Sequence, residues 1–258
     1  MAILKNPEEG QVTRQKAVTI RFPQVDPARI VFYPRYFEMV YRQFPELPLE
    51  RPPFAIRTRF LKPNQLGDRL ELCLIPGGEP HRWRVEGRMH DEVCFSMDSS
   101  ADATAIDVEC DAQRSLAFET VPQIVLGWIA GPSRQMQLSR YFEFVNIAIE
   151  EWFEDTLEAH FHEVHVGQDV GIPTAQFMTW CRRLPDVGET VTVGLEPLRL
   201  GRKSMTFRSY LLAGDECLVV SEQVVVFVRM LASGYETIAM PDDIRARFAA
   251  AMRGAAAG

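Results

Sequence analysis

Residues 27–40 (PARIVFYPRYFEMV) and 132–145 (PSRQMQLSRYFEFV) are two copies of one segment. A chain that repeats itself in this way has to fold as two similar units. At an offset of 105 the copies share Pro27/Pro132, Arg29/Arg134, Arg35/Arg140, Tyr36/Tyr141, Phe37/Phe142, Glu38/Glu143 and Val40/Val145. Seven identities in fourteen positions stand against roughly one by chance. A second register supports the first: 63–72 (PNQLGDRLEL) aligns with 184–193 (LPDVGETVTV) around Gly67/Gly188, and 91–95 (DEVCF) with 215–219 (DECLV).

Each copy opens on a short strand, passes through an apolar helix and ends in a run of strands. In the second, apolar residues over 139–156 cover almost the whole circumference of a helix, which predicts burial on most sides, as when a sheet wraps it. The first helix starts at Arg35 and has to stop early, because Pro45 and Pro48 cannot continue it. Strands are expected over 69–75, 81–89 and 93–97, and again over 191–198, 204–212 and 217–230, with turn residues between them. Residues 98–114 are polar and read as a linker with room for one strand, and Pro241-Asp242-Asp243 opens a short terminal helix. These readings predict an α+β chain with domains at 15–110 and 115–253, whose sheets pair edge to edge as an intramolecular pseudo-dimer.

Composition narrows the function. The chain has 258 residues, 47% hydrophobic, and a net charge of -7. An acidic balance argues against a nucleic-acid-binding face, which needs clustered cations. No apolar run approaches bilayer length, and residues 1–15 lack the apolar core of a signal peptide, so a cytoplasmic protein without membrane contact is expected. Five scattered cysteines, Cys73, Cys94, Cys110, Cys181 and Cys217, form no CxxC pair and argue against a disulfide framework or a structural zinc.

The most informative stretch is 26–36, DPARIVFYPRY, where one carboxylate precedes an apolar helix. Asp26 before Pro27 reads structurally as an Asx turn that shapes the loop. It reads chemically as a lone general base or nucleophile beside free amides at a helix start, where negative charge on a carbonyl oxygen is stabilised. The run Asp-Pro-Ala-x-Ile-Val-x-x-Pro-x-Tyr resembles the signature of the 4-hydroxybenzoyl-CoA thioesterase family, whose fold is the hotdog, a sheet wrapped around one helix. Weaker likenesses follow at Val170-Gly171-Ile172-Pro173, at 200–204 and at 238–242.

The resemblance implies two tandem hotdog domains and hydrolysis of an acyl-CoA thioester, without metal or other cofactor. Asp26 would be the carboxylate that attacks the carbonyl or activates water, and the backbone N–H of Tyr33 would polarise the carbonyl. In the second copy Gly131 stands where Asp26 stands, and no acid lies in 128–138 to replace it. The second copy instead carries Arg199, Arg202 and Lys203, where the first has Pro76-Gly77-Gly78-Glu79-Pro80. The resemblance places these cations near the CoA phosphates; read alone, they are solvated charges of an edge strand. The expectation is one site per chain, with the carboxylate from the first half and phosphate contacts from the second. Further association into homo-oligomers is also implied.

His160, His162 and His165 match no metal motif and fall in a loop that follows the second helix. Glu150, Glu151, Glu154 and Asp155 read as an exposed helix face. Phosphate loops and nucleophile elbows are absent. A hotdog hydratase would need a histidine, and none lies in the Asp26 loop; a non-catalytic acyl-CoA-binding protein is the remaining alternative. Tyr33, Tyr36, Phe37, Met39 and Tyr41 would suit an aromatic or an aliphatic acyl group equally.

Overall fold

Pro45 ends the first helix where its geometry requires. The computed structural model describes residues 12–27, 29–77, 82–100, 105–156, 158, 170–231 and 234–255. The first half comprises β1 (Arg14–Thr19), α1 (Pro34–Gln43), β2 (Phe54–Phe60), β3 (Arg69–Pro76), β4 (Trp83–Met89) and β5 (Glu92–Ser100). Helix α2 (Ala105–Asp111) follows. The second half comprises β6 (Phe118–Glu119), β7 (Gln123–Ile124), α3 (Leu138–Asp155), β8 (Val170–Gly171), β9 (Thr174–Cys181), β10 (Thr190–Leu200), β11 (Ser204–Ala213), β12 (Glu216–Val226), β13 (Val228–Leu231), β14 (Gly234–Thr237) and α4 (Asp242–Ala255). Helix α1 has 10 residues and α3 has 18.

One antiparallel sheet runs β1-β3-β4-β5-β2-β9-β12-β11-β10-β6, with β7 beside β10. Its two halves mirror each other about the β2–β9 pair, registered from Phe54↔Cys181 to Arg59↔Gln176. The halves are thus joined through continuous backbone hydrogen bonds, and no edge is left open at the seam. A separate small sheet orders β14-β13-β8. The second register of the sequence repeat is explained by Gly67 (φ 94°) and Gly188 (φ 93°), which take the same left-handed turn into β3 and β10.

The shared Arg-Tyr-Phe-Glu lies where α1 meets α3. Phe37 stacks on Phe142 at 4.1 Å between ring centroids. Around that stack Arg35 pairs with Glu38 (3.2 Å) and crosses to Glu143 (2.8 Å), while Arg140 pairs with Glu143 (2.7 Å). Residues at a two-fold meet their own counterparts, so both copies have to keep them. Phe153 and Trp152 continue the core to Phe248 of α4, each at 5.2 Å.

Two features depart from the sequence reading. The polar stretch 98–114 carries the end of β5 and a helix instead of a linker strand. Ile106 and Cys110, four apart on one face of α2, are buried with Ala55, Trp180 and Tyr210 on the sheet face away from α1 and α3. The run 217–230 divides at Phe227, whose N–H donates to the Lys203 carbonyl (2.9 Å) and whose ring is fully buried. Helix α3 buries Tyr141, Phe142, Val145, Ala148, Ile149, Trp152 and Phe153 and leaves an outer strip on which Ile147 is 40% exposed.

Candidate active site

The Asp26 loop is held by backbone docking. The Asp26 N–H donates to Ile30 O (2.9 Å) and the Arg29 N–H to Asp26 O (2.9 Å). Val31 N–H reaches Asn64 O (2.9 Å), and Leu66 N–H reaches Arg29 O (3.1 Å). The loop is thereby fixed to the turn that opens β3. Arg29 takes a left-handed backbone (φ 64°), which costs about 1–2 kcal/mol outside glycine and is offset by that docking. The Asp26 carboxylate accepts the Ile30 N–H at 3.0 Å. This bond spans four residues, where an Asx turn spans two, and it orients the carboxylate.

The Gly131 loop is the same loop. Gly131 N–H donates to Gln135 O (2.8 Å), Arg134 N–H to Gly131 O (3.0 Å), Met136 N–H to Pro185 O (2.8 Å) and Val187 N–H to Arg134 O (3.0 Å). Arg134 has φ 63°. The bridges Val25↔Val31 and Ile30↔Gln65 recur as Ala130↔Met136 and Gln135↔Asp186. Every backbone feature of the first loop forms in the second without a side chain at the position of Asp26.

At the start of α1, Pro34 has no N–H, Arg35 N–H donates to Phe32 O (2.9 Å) and Tyr36 N–H to Tyr33 O (3.2 Å). The Tyr33 N–H makes no hydrogen bond among the described residues, so it is the open donor of that turn. The Tyr33 side chain crosses the seam. Its hydroxyl donates to Phe142 O on α3 (3.0 Å), and its ring packs against Phe60, Phe142 and Phe177. Burial pushes the phenol pKa well above its usual range. Further along α3, Asn146 donates to Glu150 (2.6 Å), and burial raises the Glu150 carboxyl. Tyr36 hydroxyl donates to Asn64 Oδ1 (2.9 Å). Asn64 is fully buried and was not singled out in the sequence, where nothing but its place before Gly67 marks it.

The register sets which turns share an end of the sheet. β2 ends at Phe60 opposite Phe95 near the start of β5, and Arg59 lies opposite Gln176 near the start of β9. Thr174 lies opposite Val225, and Val226 opposite Ser204. The start of β3, where the Asp26 loop docks, and the 200–204 turn are therefore at the same end. The Gly131 loop lies at the other end, with the turn between β3 and β4. Arg199 and Arg202 are exposed. Lys203 is tied down, its Nζ donating to the carbonyl (2.9 Å) and hydroxyl (3.3 Å) of Thr237.

Of the five ring and methionine residues expected to line one pocket, Tyr36 and Met39 are core residues. Phe37 and Tyr41 belong to the opposite end. There they line a cleft of about 120 Å³ with Glu38, Arg42, Leu49, Gln137, Leu138, Ser139 and Arg140. His160, His162 and His165 lie outside the described residues. Among the described residues no group of His, Cys, Asp or Glu is arranged to hold a metal, no helix is long and apolar enough to cross a membrane, and the five cysteines are buried thiols.

No family model matches the sequence, and no curated protein is similar to it. Solved structures are. A protein named oleoyl thioesterase, from Lactobacillus plantarum, superposes with a TM-score of 0.64 at 10% identity over 85% of this chain and 97% of its own. The 12:0-ACP thioesterase of Umbellularia californica does so with a TM-score of 0.61 at 9% identity, over 83% and 94%. At such identities the likeness establishes the fold: the chain is a tandem hotdog protein.

Proposed function

We propose that the chain is a thioester hydrolase that acts on an aryl-CoA or a short- or medium-chain acyl-CoA at the Asp26 end of the sheet. The observation that carries this reading is the pair of loops. The Gly131 loop closes with the same hydrogen bonds and no side chain, so the carboxylate of Asp26 is not needed for the loop's shape. A charged group retained beside a helix start without a structural requirement points to chemistry. The two similar structures carry thioesterase names, so the fold supports this reaction class.

Asp26 serves as base for water or as nucleophile on the thioester carbonyl, held in place by the Ile30 N–H. The open Tyr33 N–H polarises the carbonyl and takes up the oxyanion charge. Thiolate leaves, and the acyl group ends as a carboxylate. Arg199, Arg202 and Lys203 are at the same end of the sheet and supply cations for the CoA phosphates, with Lys203 first having to leave Thr237. No cofactor is called on. The protein is read as cytoplasmic, with double-hotdog chains associating further.

The test is release of free thiol from a panel of aryl- and alkyl-CoA esters, with Asp26→Asn beside wild type. The variant should lose roughly 10²–10⁴-fold in turnover with an unchanged melting temperature. Full activity in Asp26→Asn sinks the assignment. Tight ester binding without turnover in either protein would select a binding protein instead.

A further inference from the structure

The cleft at the opposite end is built differently from the site it mirrors. Ser139 stands where Pro34 stands in the first half, and Leu138 where Tyr33 stands. Two consequences follow. The N–H groups of both Leu138 and Ser139 make no hydrogen bond among the described residues, because Arg140 and Tyr141 are the first to donate, both to Gln137 O. And Leu138 cannot bridge the helices as the Tyr33 ring does, which accounts for the open space.

The wall of this cleft holds donors without acceptors. Ser139 is 5% exposed, lines the cleft, and its hydroxyl makes no hydrogen bond among the described residues. Arg140 Nε is buried with no partner, although the same guanidinium pairs with Glu143. Arg42 reaches Glu38 at 2.6 Å and is otherwise 71% exposed. Glu38 is the one acid of the lining, and it is already shared by Arg35 and Arg42. Phe37, Leu49 and Leu138 form an apolar part.

We propose that this cleft is a binding site for a small monocarboxylate. The carboxylate oxygens take the Leu138 and Ser139 N–H groups and the Ser139 hydroxyl, where the α3 dipole favours negative charge. The hydrocarbon part lies on Phe37, Leu49 and Leu138. A space of about 120 Å³ suits a short chain or a single ring, since a cavity of roughly 150 Å³ takes benzene. Gly131 brings no charge to repel such a ligand, whereas Asp26 brings one at the other end. The same architecture, with one carboxylate removed, therefore exchanges preference for the thioester for preference for the acid. The assignment takes from the thioesterase reading only that the product is a carboxylate.

The experiment is titration of the full-length protein with butyrate and with benzoate, followed by calorimetry and saturation-transfer NMR, with butanol as the neutral control. No thioester is present, so hydrolysis does not enter. Wild type and Asp26→Asn should bind the acids alike and ignore butanol. Ser139→Asp places a negative charge where the helix tolerates it and should weaken binding at least tenfold. Ser139→Trp, which fills the cleft, should do the same. Binding that survives both variants, or no binding of either acid at tens of millimolar, overturns the proposal. An inactive chain that binds butyrate would overturn the thioesterase reading alone, and an active chain that does not bind would overturn only this one.

Discussion

The two loops before the helices have one backbone and two chemistries. Both carry an arginine in the left-handed region, dock on the glycine turn that opens β3 or β10, and lead into a helix with open amides. They differ in a carboxylate, present at 26 and absent at 131, and in the residues after it. Tyr33-Pro34 closes the first helix start around one open N–H, while Leu138-Ser139 leaves the second with two and with a cleft. The difference teaches that loop shape here is set by main-chain docking, so the side chains on the loops are available to function.

Asp26→Gly makes the two ends alike and gives the largest expected effect. Thiol release from the best acyl-CoA should fall roughly 10²–10⁴-fold. Stability should drop by only about 1 kcal/mol, for the lost acceptor of the Ile30 N–H. A urea unfolding curve measures the second quantity. Collapse of the fold would mean that the carboxylate, unlike its absent counterpart, holds the loop.

Phe37 and Phe142 are counterparts at the dyad, yet their surroundings differ. Phe142 also packs against Tyr33, Tyr141 and Phe177, whereas Phe37 borders the cleft. Phe142→Ala should cost about 3–5 kcal/mol, and Phe37→Ala less, because space already lies beside it. Equal losses, read from the same unfolding curves, would remove the asymmetry between the ends.

The repeat made the architecture legible because a two-fold forces equal residues at its axis. The Arg-Tyr-Phe-Glu pair, the early stop at Pro45 and the matched glycines all have structural causes that act locally or through symmetry. Helix α2 was not legible, since two buried residues, Ile106 and Cys110, in seven do not make a visible apolar face. The Asp26 loop was marked by its sequence pattern. Its mirror cleft was not, because Ser139 acquires meaning only when set against Pro34 and when its hydroxyl, in a residue lining the cleft, is found without a hydrogen bond among the described residues.

The cations offer a third contrast. Arg199, near the end of β10, and Arg202, on the turn that follows, are exposed at the Asp26 end, and Arg82 lies on the corresponding turn at the Gly131 end. Charge reversal at Arg199 and Arg202 together should raise KM for an acyl-CoA about tenfold with kcat unchanged, the pattern of lost uniform binding. Arg82→Glu should leave both constants alone. A fall in kcat, or an equal effect of Arg82→Glu, would separate the phosphate contacts from the Asp26 end.

The smallest effect concerns stability in acid. In the second half Arg183 forks to Glu189 (2.7 and 2.9 Å) and Glu216 (2.6 and 2.9 Å). In the first half Lys62 pairs, among the described residues, with Glu92 alone. Hydrogen bonds from Arg183 lower the carboxyls of both Glu189 and Glu216, and the bond from Lys62 lowers that of Glu92. A carboxyl lowered by folding adds stability that is present above its ordinary range and is lost as pH falls through the lowered value. The fork is partly exposed, so Arg183→Met should cost only about 1 kcal/mol at neutral pH. That deficit should close as the pH drops below the usual carboxylate range, because the wild type then loses what the variant never had. Melting temperatures of both proteins across pH 2 to 7 measure it, with Lys62→Met expected to show the same sign and a smaller gap. A deficit that persists in acid would assign Arg183 to packing, and the two halves would then differ in shape there but not in charge.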